Sequence, residues 1–93
     1  MNKYKKNKKC DIDMDMNSTE AVIWNPETEE AHILNQSAFC LYELCCGNNK
    51  TDIIQQYVKL FPQDTTTKSK AASDAEIMLE RFVIAGVIDR YEE

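Results

Sequence analysis

The residues of this chain that could carry out chemistry are four cysteines and one histidine. A thiolate beside an imidazole can act as a nucleophile, and Cys and His together commonly bind zinc. A structural zinc site needs four ligands, usually supplied in pairs, and no two of these cysteines form a C-x-x-C pair. We therefore expect no metal, no other cofactor and no enzyme activity, and we interpret the thiols as buried, reduced and packed like small apolar side chains. The residues concerned are Cys10, Cys40, Cys45, Cys46 and His32.

Three aspartates near the N-terminus alternate with apolar residues. Asp11, Asp13 and Asp15 form a D-x-D-x-D string, which is how a calcium-binding loop begins. The string lacks the glycine and the later glutamate that such a loop requires, and large apolar residues stand between the acids. Its period of two instead predicts a half-buried strand over residues 10–16, with the aspartates facing solvent.

The charge of the chain is unevenly distributed. The chain has 93 residues and a net charge of −5, yet five lysines and no acid stand among its first nine residues. We expect residues 1–9 to be a basic, disordered tail and residues 10–93 to form one domain. The acidic remainder argues against a nucleic-acid partner, since phosphate contact needs clustered Lys and Arg. With no secretory signal and no run long enough to cross a bilayer, we expect a cytoplasmic protein that does not bind membranes.

Two further strands and three helices follow the aspartate segment. Residues 21–24 are β-branched or aromatic and predict a strand in which Trp24 packs in the core, and residues 30–34 predict another. Their short connections favour an antiparallel meander. Asn35 and Thr51 are expected to cap the first two helices, and Gly47 and Pro62 to end them. A third helix is expected from residue 69 or 71 to residue 85, with residues 63–70 as a loop or a frayed helix start.

The third predicted helix has apolar residues on two faces. Its core face contains Leu79 and Phe82, whereas Ile77 and Ile84 lie nearly opposite, with Glu80 and Arg81 between them. Helices of small domains usually present charge on the face away from the core. The two isoleucines therefore indicate either singly exposed apolar residues, which are common, or the wall of a groove.

Several of these residues, taken in order and spacing, resemble one known family. The chain is similar to the PqqD-like proteins, the peptide chaperones of pyrroloquinoline quinone biosynthesis and their relatives, which are called RiPP recognition elements; RiPPs are ribosomally made, post-translationally modified peptides. The likeness covers about residues 11–90, and Cys46 departs from it, standing where the family often has an acid. The matching residues are Leu34-Asn35, Ala38, residues 41–45, Gly47, Thr51, Ile54, Asp74, Leu79, Phe82 and residues 86–88.

The resemblance implies an α+β fold of the winged helix-turn-helix kind, with a three-stranded antiparallel sheet followed by three helices. It also implies a stand-alone module that binds the leader segment of a precursor peptide, which joins the sheet as a fourth strand beside the third strand and against the third helix. Carried onto this chain, the binding residues are Glu30, Ala31, His32, Ile33, Leu34, Ile77, Glu80, Arg81 and Ile84.

The implied partners are the precursor peptide and a maturation enzyme that does the chemistry, such as a radical S-adenosylmethionine enzyme or a leader protease. Because sheet edges can pair between copies, both a monomer and a homodimer remain open. The alternative function is a DNA-binding winged helix, which would need a basic recognition helix. The second predicted helix instead contains one basic residue, Lys59, and one acid, Asp52, and Arg81 in the third is outnumbered by acids.

Overall fold

The computed structural model describes residues 1–14 and 20–93. Predictions for residues 15–19, namely the end of the first predicted strand and the turn after it, lie outside these residues. The elements of the described part are β1 (Asn2–Lys6), β2 (Asp11–Met14), β3 (Ala21–Asn25), β4 (Glu30–Leu34), α1 (Gln36–Glu43), β5 (Cys46–Asn49), α2 (Lys50–Val58), α3 (Thr65–Ile84) and β6 (Ile88–Glu92).

The predicted antiparallel meander is present as the sheet β2-β3-β4. Side chains alternate along β3, where Ala21, Ile23 and Asn25 are buried and the residues between them are exposed. The α+β prediction of a three-stranded antiparallel sheet and three helices is confirmed. β2 differs from the prediction because it is exposed along its whole length rather than half-buried. Its apolar residue Ile12 lies opposite the buried Ile23 and is nevertheless 44% exposed.

The prediction that residues 1–9 form a disordered tail separate from the domain is wrong. Residues 2–6 form β1, the central strand of a second sheet with the order β5-β1-β6. Tyr4 is almost completely buried in the core, while the neighbouring Lys5 stays exposed with its Nζ 4.9 Å from the centre of the Tyr91 ring. Alternation lets lysine ammonium groups remain in water while the backbone pairs on both sides, so a lysine-rich segment can occupy the middle of a sheet.

Each helix begins at a side-chain cap. Asn35 Oδ1 accepts a hydrogen bond from the backbone N–H of Ala38 at 2.9 Å, as the sequence predicted for α1. The predicted cap of α2, Thr51, is wrong because Asn49 accepts from the N–H of Asp52 and starts the helix two residues earlier. Asp64 caps α3 in the same way, so that the polar segment expected to be a loop or a frayed start forms the first turns of the helix.

The core lies between the two sheets and the three helices. Trp24 is not part of it: the indole is 40% exposed on the outer face of β3, so the predicted core role is wrong. The alternation that buries Ile23 turns its neighbour Trp24 outward. The buried apolar residues that pack together are Tyr4, Ile23, Leu34, Leu41, Tyr42, Cys45, Ile53, Tyr57, Val58, Ala71, Ala75, Leu79, Phe82, Val87 and Ile88.

Candidate functional site

Strand β4 has one paired edge and one open edge. It pairs with β3 from Ala21 opposite Leu34 to Asn25 opposite Glu30, and no described strand pairs with its other side. Its bounds, Glu30–Leu34, are those that the sequence predicted. An open edge presents backbone N–H and C=O groups that another extended segment can pair with.

A groove separates the open edge of β4 from the C-terminal half of α3. We call it the β4–α3 groove. Its volume is about 340 Å³, and it brings together two predicted strand residues and two predicted helix residues. The residues that line it are Thr28, Glu30, His32, Arg81, Ile84 and Ala85.

A larger pocket of about 530 Å³ continues along α3 towards the start of α1. Arg81 lines both spaces, so they adjoin at this side chain, and we call the groove and this pocket together the channel. Aromatic residues Tyr57 and Phe61, whose ring centroids are 5.0 Å apart, form part of the pocket together with Ile77. Polar and charged residues, among them Lys70 and Asp74, line this pocket as well, so both parts of the channel combine apolar and polar groups.

The apolar wall predicted on α3 faces this channel. Ile84 is 82% exposed and Ile77 is 50% exposed, and Arg81 lies between them on the same side of the helix. The spacings of four and three residues place these side chains along one stripe. Isoleucines this exposed have apolar surface that a docked segment would remove from water.

Glu80 is not brought together with the other predicted helix residues. Its carboxylate pairs with Arg90 of β6, with Oε1 3.0 Å from the guanidinium Nη1. One turn earlier, Glu76 pairs with Lys50 of α2 at 2.8 Å. This flank of α3 is directed towards β6 and α2, because successive helical residues are rotated by about 100°.

The five predicted residues of β4 divide between its two faces. Glu30 and His32 line the groove, and Leu34 is buried in the core. Ala31 and Ile33 are exposed on the opposite face of the sheet, beside Trp24 and Val22. The Nε2 atom of His32 is buried and has no hydrogen-bond partner among the described residues.

A buried asparagine holds the end of the groove in place. Asn25 Nδ2 donates a hydrogen bond to the carbonyl of Ala85 at 3.0 Å, and its Oδ1 accepts from the N–H of Glu27. Gly86 follows with a φ of +76°, and a Cβ there would lie 2.7 Å from Asn25 Nδ2. These contacts fix the β3–β4 hairpin against the last turn of α3 and so define the width of the groove.

Sequence reasoning missed several residues of the channel. Met78 and Ala85 lie seven residues apart on the side of α3 that also contains Arg81, so helical periodicity could have indicated them. Tyr57 of α2 and Phe61, which follows that helix, also line the pocket, and Tyr57 is buried in the core as well. Thr28, in the turn before β4, carried no signal in the sequence.

The cysteines do not form a reactive centre in the described part of the chain. Burial raises the pKa of the Cys45 thiol to about 12, the neighbouring Cys46 adding to the effect. Cys45 fits the predicted buried thiol, whereas Cys46 is exposed, and Cys10 and Cys40 are half-buried. Residues 1–14 and 20–93 contain no cluster of three or more His, Cys, Asp or Glu side chains able to hold a metal ion.

Comparisons with known proteins identify a similar fold. No protein-family model matches the sequence, and no curated protein matches it either. Among solved structures, the chain is similar to TbiB1 in complex with the TbiA(beta) leader peptide, with a TM-score of 0.74 and 13% sequence identity. The alignment covers 96% of this chain and 99% of that chain, so the two share a fold over nearly their whole lengths. Within the described residues, no helix is long and apolar enough to span a membrane.

Proposed function

We propose that this chain is a PqqD-like module that captures the leader segment of a ribosomally made precursor peptide. The observation that carries the proposal is the open edge of β4 facing the β4–α3 groove. A fold shared with a protein that was solved with a leader peptide supports it. The peptide would pair with β4 as a fourth strand, so that the sheet order becomes β2-β3-β4-peptide.

In strand addition, the backbone and the side chains of the binding site contribute differently to peptide binding. Hydrogen bonds to the β4 backbone supply affinity that depends little on sequence, and the channel selects side chains at alternate positions of the peptide. Inward-facing peptide residues would meet Ile84 and Arg81 in the groove and Ile77 in the adjoining pocket. An amphipathic extended segment fits this surface best.

In this proposal the module delivers the bound peptide to an enzyme. A maturation enzyme, such as a radical S-adenosylmethionine enzyme or a leader protease, would carry out the modification. Holding the leader next to that enzyme raises the local substrate concentration to about the millimolar range without any new contact to the modified segment.

Peptide selection followed by NMR tests the proposal. A display library of short random peptides is selected against the folded full-length protein, and an enriched peptide is titrated into ¹⁵N-labelled protein. We expect the largest amide shifts in β4 and along the α3 stripe from Ile77 to Ile84. Failure to enrich any peptide, or shifts centred on the hollow between α1 and α2 that contains Phe39 and Leu60, would contradict the proposal.

A further inference from the structure

The sheet β2-β3-β4 has a block of apolar side chains on its outer face, the face turned away from the core. In the register of the sheet, Val22 lies directly across from Ile33, and Trp24 lies directly across from Ala31. All four residues are exposed, and we call them the outer-face patch. Apolar residues scattered singly over a surface are common, whereas a contiguous exposed block is typical of an interaction surface.

Two aspartates of β2 border the outer-face patch. Asp11 lies across from Trp24 and Asp13 lies across from Val22, and both are exposed on the same face as the patch. Neither carboxylate forms an ion pair within residues 1–14 and 20–93. The described strand residues that share this face include no lysine or arginine. The patch therefore has a negative border that these strands do not neutralise.

We propose that the outer-face patch docks a protein whose contact surface presents an arginine surrounded by aliphatic side chains. A guanidinium group is planar, stacks on an indole ring and forms paired hydrogen bonds with a carboxylate. Trp24 and Asp11 offer both partners together, because residues directly across an antiparallel pair have Cβ atoms about 5 Å apart. Val22 and Ile33 would pack against the aliphatic side chains, and Asp13 would face a second basic group.

The charge of this face favours a basic protein over other occupants. A second copy of the chain, docked face to face, would bring two aspartates from each copy together without a cation between them, so the copies would repel each other. Anionic lipid and nucleic acid would meet the same repulsion. A basic protein surface pairs with the aspartates while it buries the indole, and Trp and Arg are enriched at the centres of protein interfaces.

Docking at the outer-face patch leaves the β4–α3 groove open. Ile33 belongs to the patch, whereas its neighbour His32 lines the groove on the other face of β4. A protein that must approach a peptide-loaded module is the maturation enzyme, and we assign the patch to it. This choice of partner rests on the proposed function, whereas the apolar and acidic character of the face does not.

Site-specific photo-cross-linking in the cells that make this protein tests the proposal. Benzoylphenylalanine replaces Val22 of the central strand, so β4 separates the probe from a captured leader peptide. A control protein has the probe at Leu60, in the hollow between α1 and α2. We expect the probe at position 22 to cross-link a maturation enzyme through a segment that contains arginine, which mass spectrometry identifies.

The affinity of the purified complex gives the quantitative result. Trp24→Ser should raise the Kd at least about 10-fold and Asp11→Asn about 3-fold to 10-fold, because each removes one partner of the arginine. The matched control is Asp89→Asn, which neutralises an exposed acid of β6 and should change the Kd less than 2-fold. Once the partner's arginine is replaced by glutamine, Asp11→Asn should also have an effect below about 2-fold. Circular dichroism establishes that each variant is folded.

Several outcomes would overturn the proposal. They are cross-links from position 22 only to a second copy of the chain, no cross-link above the Leu60 control, a contact segment without a basic residue, and equal losses for Asp11→Asn and Asp89→Asn. Binding to anionic vesicles that Trp24→Ser abolishes would assign the patch to a membrane instead.

Parallel measurements of peptide binding separate this proposal from the proposed function. Trp24→Ser should leave the Kd for a selected groove peptide unchanged. If a peptide binds the groove but position 22 cross-links nothing, only the docking proposal fails. If no peptide binds and position 22 still cross-links an arginine-containing segment of another protein, the proposed function fails and the docking face stands.

Discussion

Replacing Ile84 with glutamate tests the role of the proposed docking wall in peptide binding with little effect on the stability of the fold. The side chain is 82% exposed, so the substitution should change the free energy of unfolding by no more than about 0.5 kcal/mol. Full burial of an isoleucine contributes roughly 1.5–3 kcal/mol, and a strand lying along one side of it would cover about half of that surface. Loss of this burial costs the complex about 1 kcal/mol.

The new carboxylate adds a second cost, because the peptide would have to displace part of its hydration. Taking this as on the order of 1 kcal/mol gives a total of about 2 kcal/mol, which corresponds to a Kd roughly 30-fold higher. Ile84→Lys should weaken binding by a similar factor, since the lost burial and the desolvation are common to both charges. An effect confined to one sign of charge would indicate electrostatic repulsion instead.

Fluorescence polarisation with a labelled, selected peptide measures the change in Kd, and urea unfolding measures stability. The matched control is Leu60→Glu, which replaces another exposed aliphatic residue, 60% accessible, in the hollow between α1 and α2. We expect this control to bind like the wild type. A Kd for Ile84→Glu within 3-fold of the wild type, or equal losses for both variants, would refute the assignment of the wall.

The remaining predictions concern the strand edge, the end of the groove, the second sheet and one thiol. If the backbone N–H of Ile33 donates to the peptide at the open edge, Ile33→Pro should abolish binding while the circular dichroism spectrum stays folded; retained binding by a folded variant would place the docking strand elsewhere. Gly86→Ala should lower the free energy of unfolding by about 3 kcal/mol in urea titration, because φ is +76° and the added methyl would displace a buried amide hydrogen bond; a loss below about 1 kcal/mol would contradict this packing. Tyr4→Ala should destabilise the protein by about 3–5 kcal/mol as a core truncation, whereas Lys8→Ala should be neutral; a disordered N-terminus would make both neutral. With its pKa raised to about 12, Cys45 should have only about one thiolate in 10⁴ at pH 8 and should resist a disulfide reagent until urea is added; rapid modification of the folded protein, located by mass spectrometry, would disagree.

The sequence was sufficient for the parts of the fold that local patterns encode. β4 begins and ends where predicted, because alternation stops at Leu34 and a capping asparagine follows at once. The core face of α3 around Leu79 and Phe82 was also predicted, since helical periodicity specifies it without knowledge of the neighbouring elements.

The second sheet could not be predicted in the same way. Residues 46–49 read Cys-Gly-Asn-Asn, a composition that is depleted in strands, and they form β5 because β1 supplies a backbone partner. β1 itself reads as a solvated lysine run unless its partners β5 and β6 are known. Strand pairing between distant segments is a tertiary property, and the β-propensity of each segment alone does not predict it.

The candidate site was only partly accessible from the sequence for a related reason. Periodicity placed Ile77, Glu80, Arg81 and Ile84 on one outer surface, but it could not tell which side of that surface faces β4. The pairing of Glu80 with Arg90 orients that side towards β6. The sequence likewise could not predict that His32 Nε2 is buried without a hydrogen-bond partner among the described residues, because this burial depends on how the β3–β4 hairpin and α3 pack together.

The central position of β1 has a consequence for the order in which the protein takes shape during synthesis. β1 is synthesised before its partner β6, and the other described elements are made between them, so the second sheet can be completed only after β6. Bringing such distant segments together carries the entropy of closing a long loop, which slows folding. The sheet β2-β3-β4 pairs only neighbouring segments and can form early. The docking edge is therefore synthesised before the helix that completes its groove, and the proposed peptide capture requires α3 to be added.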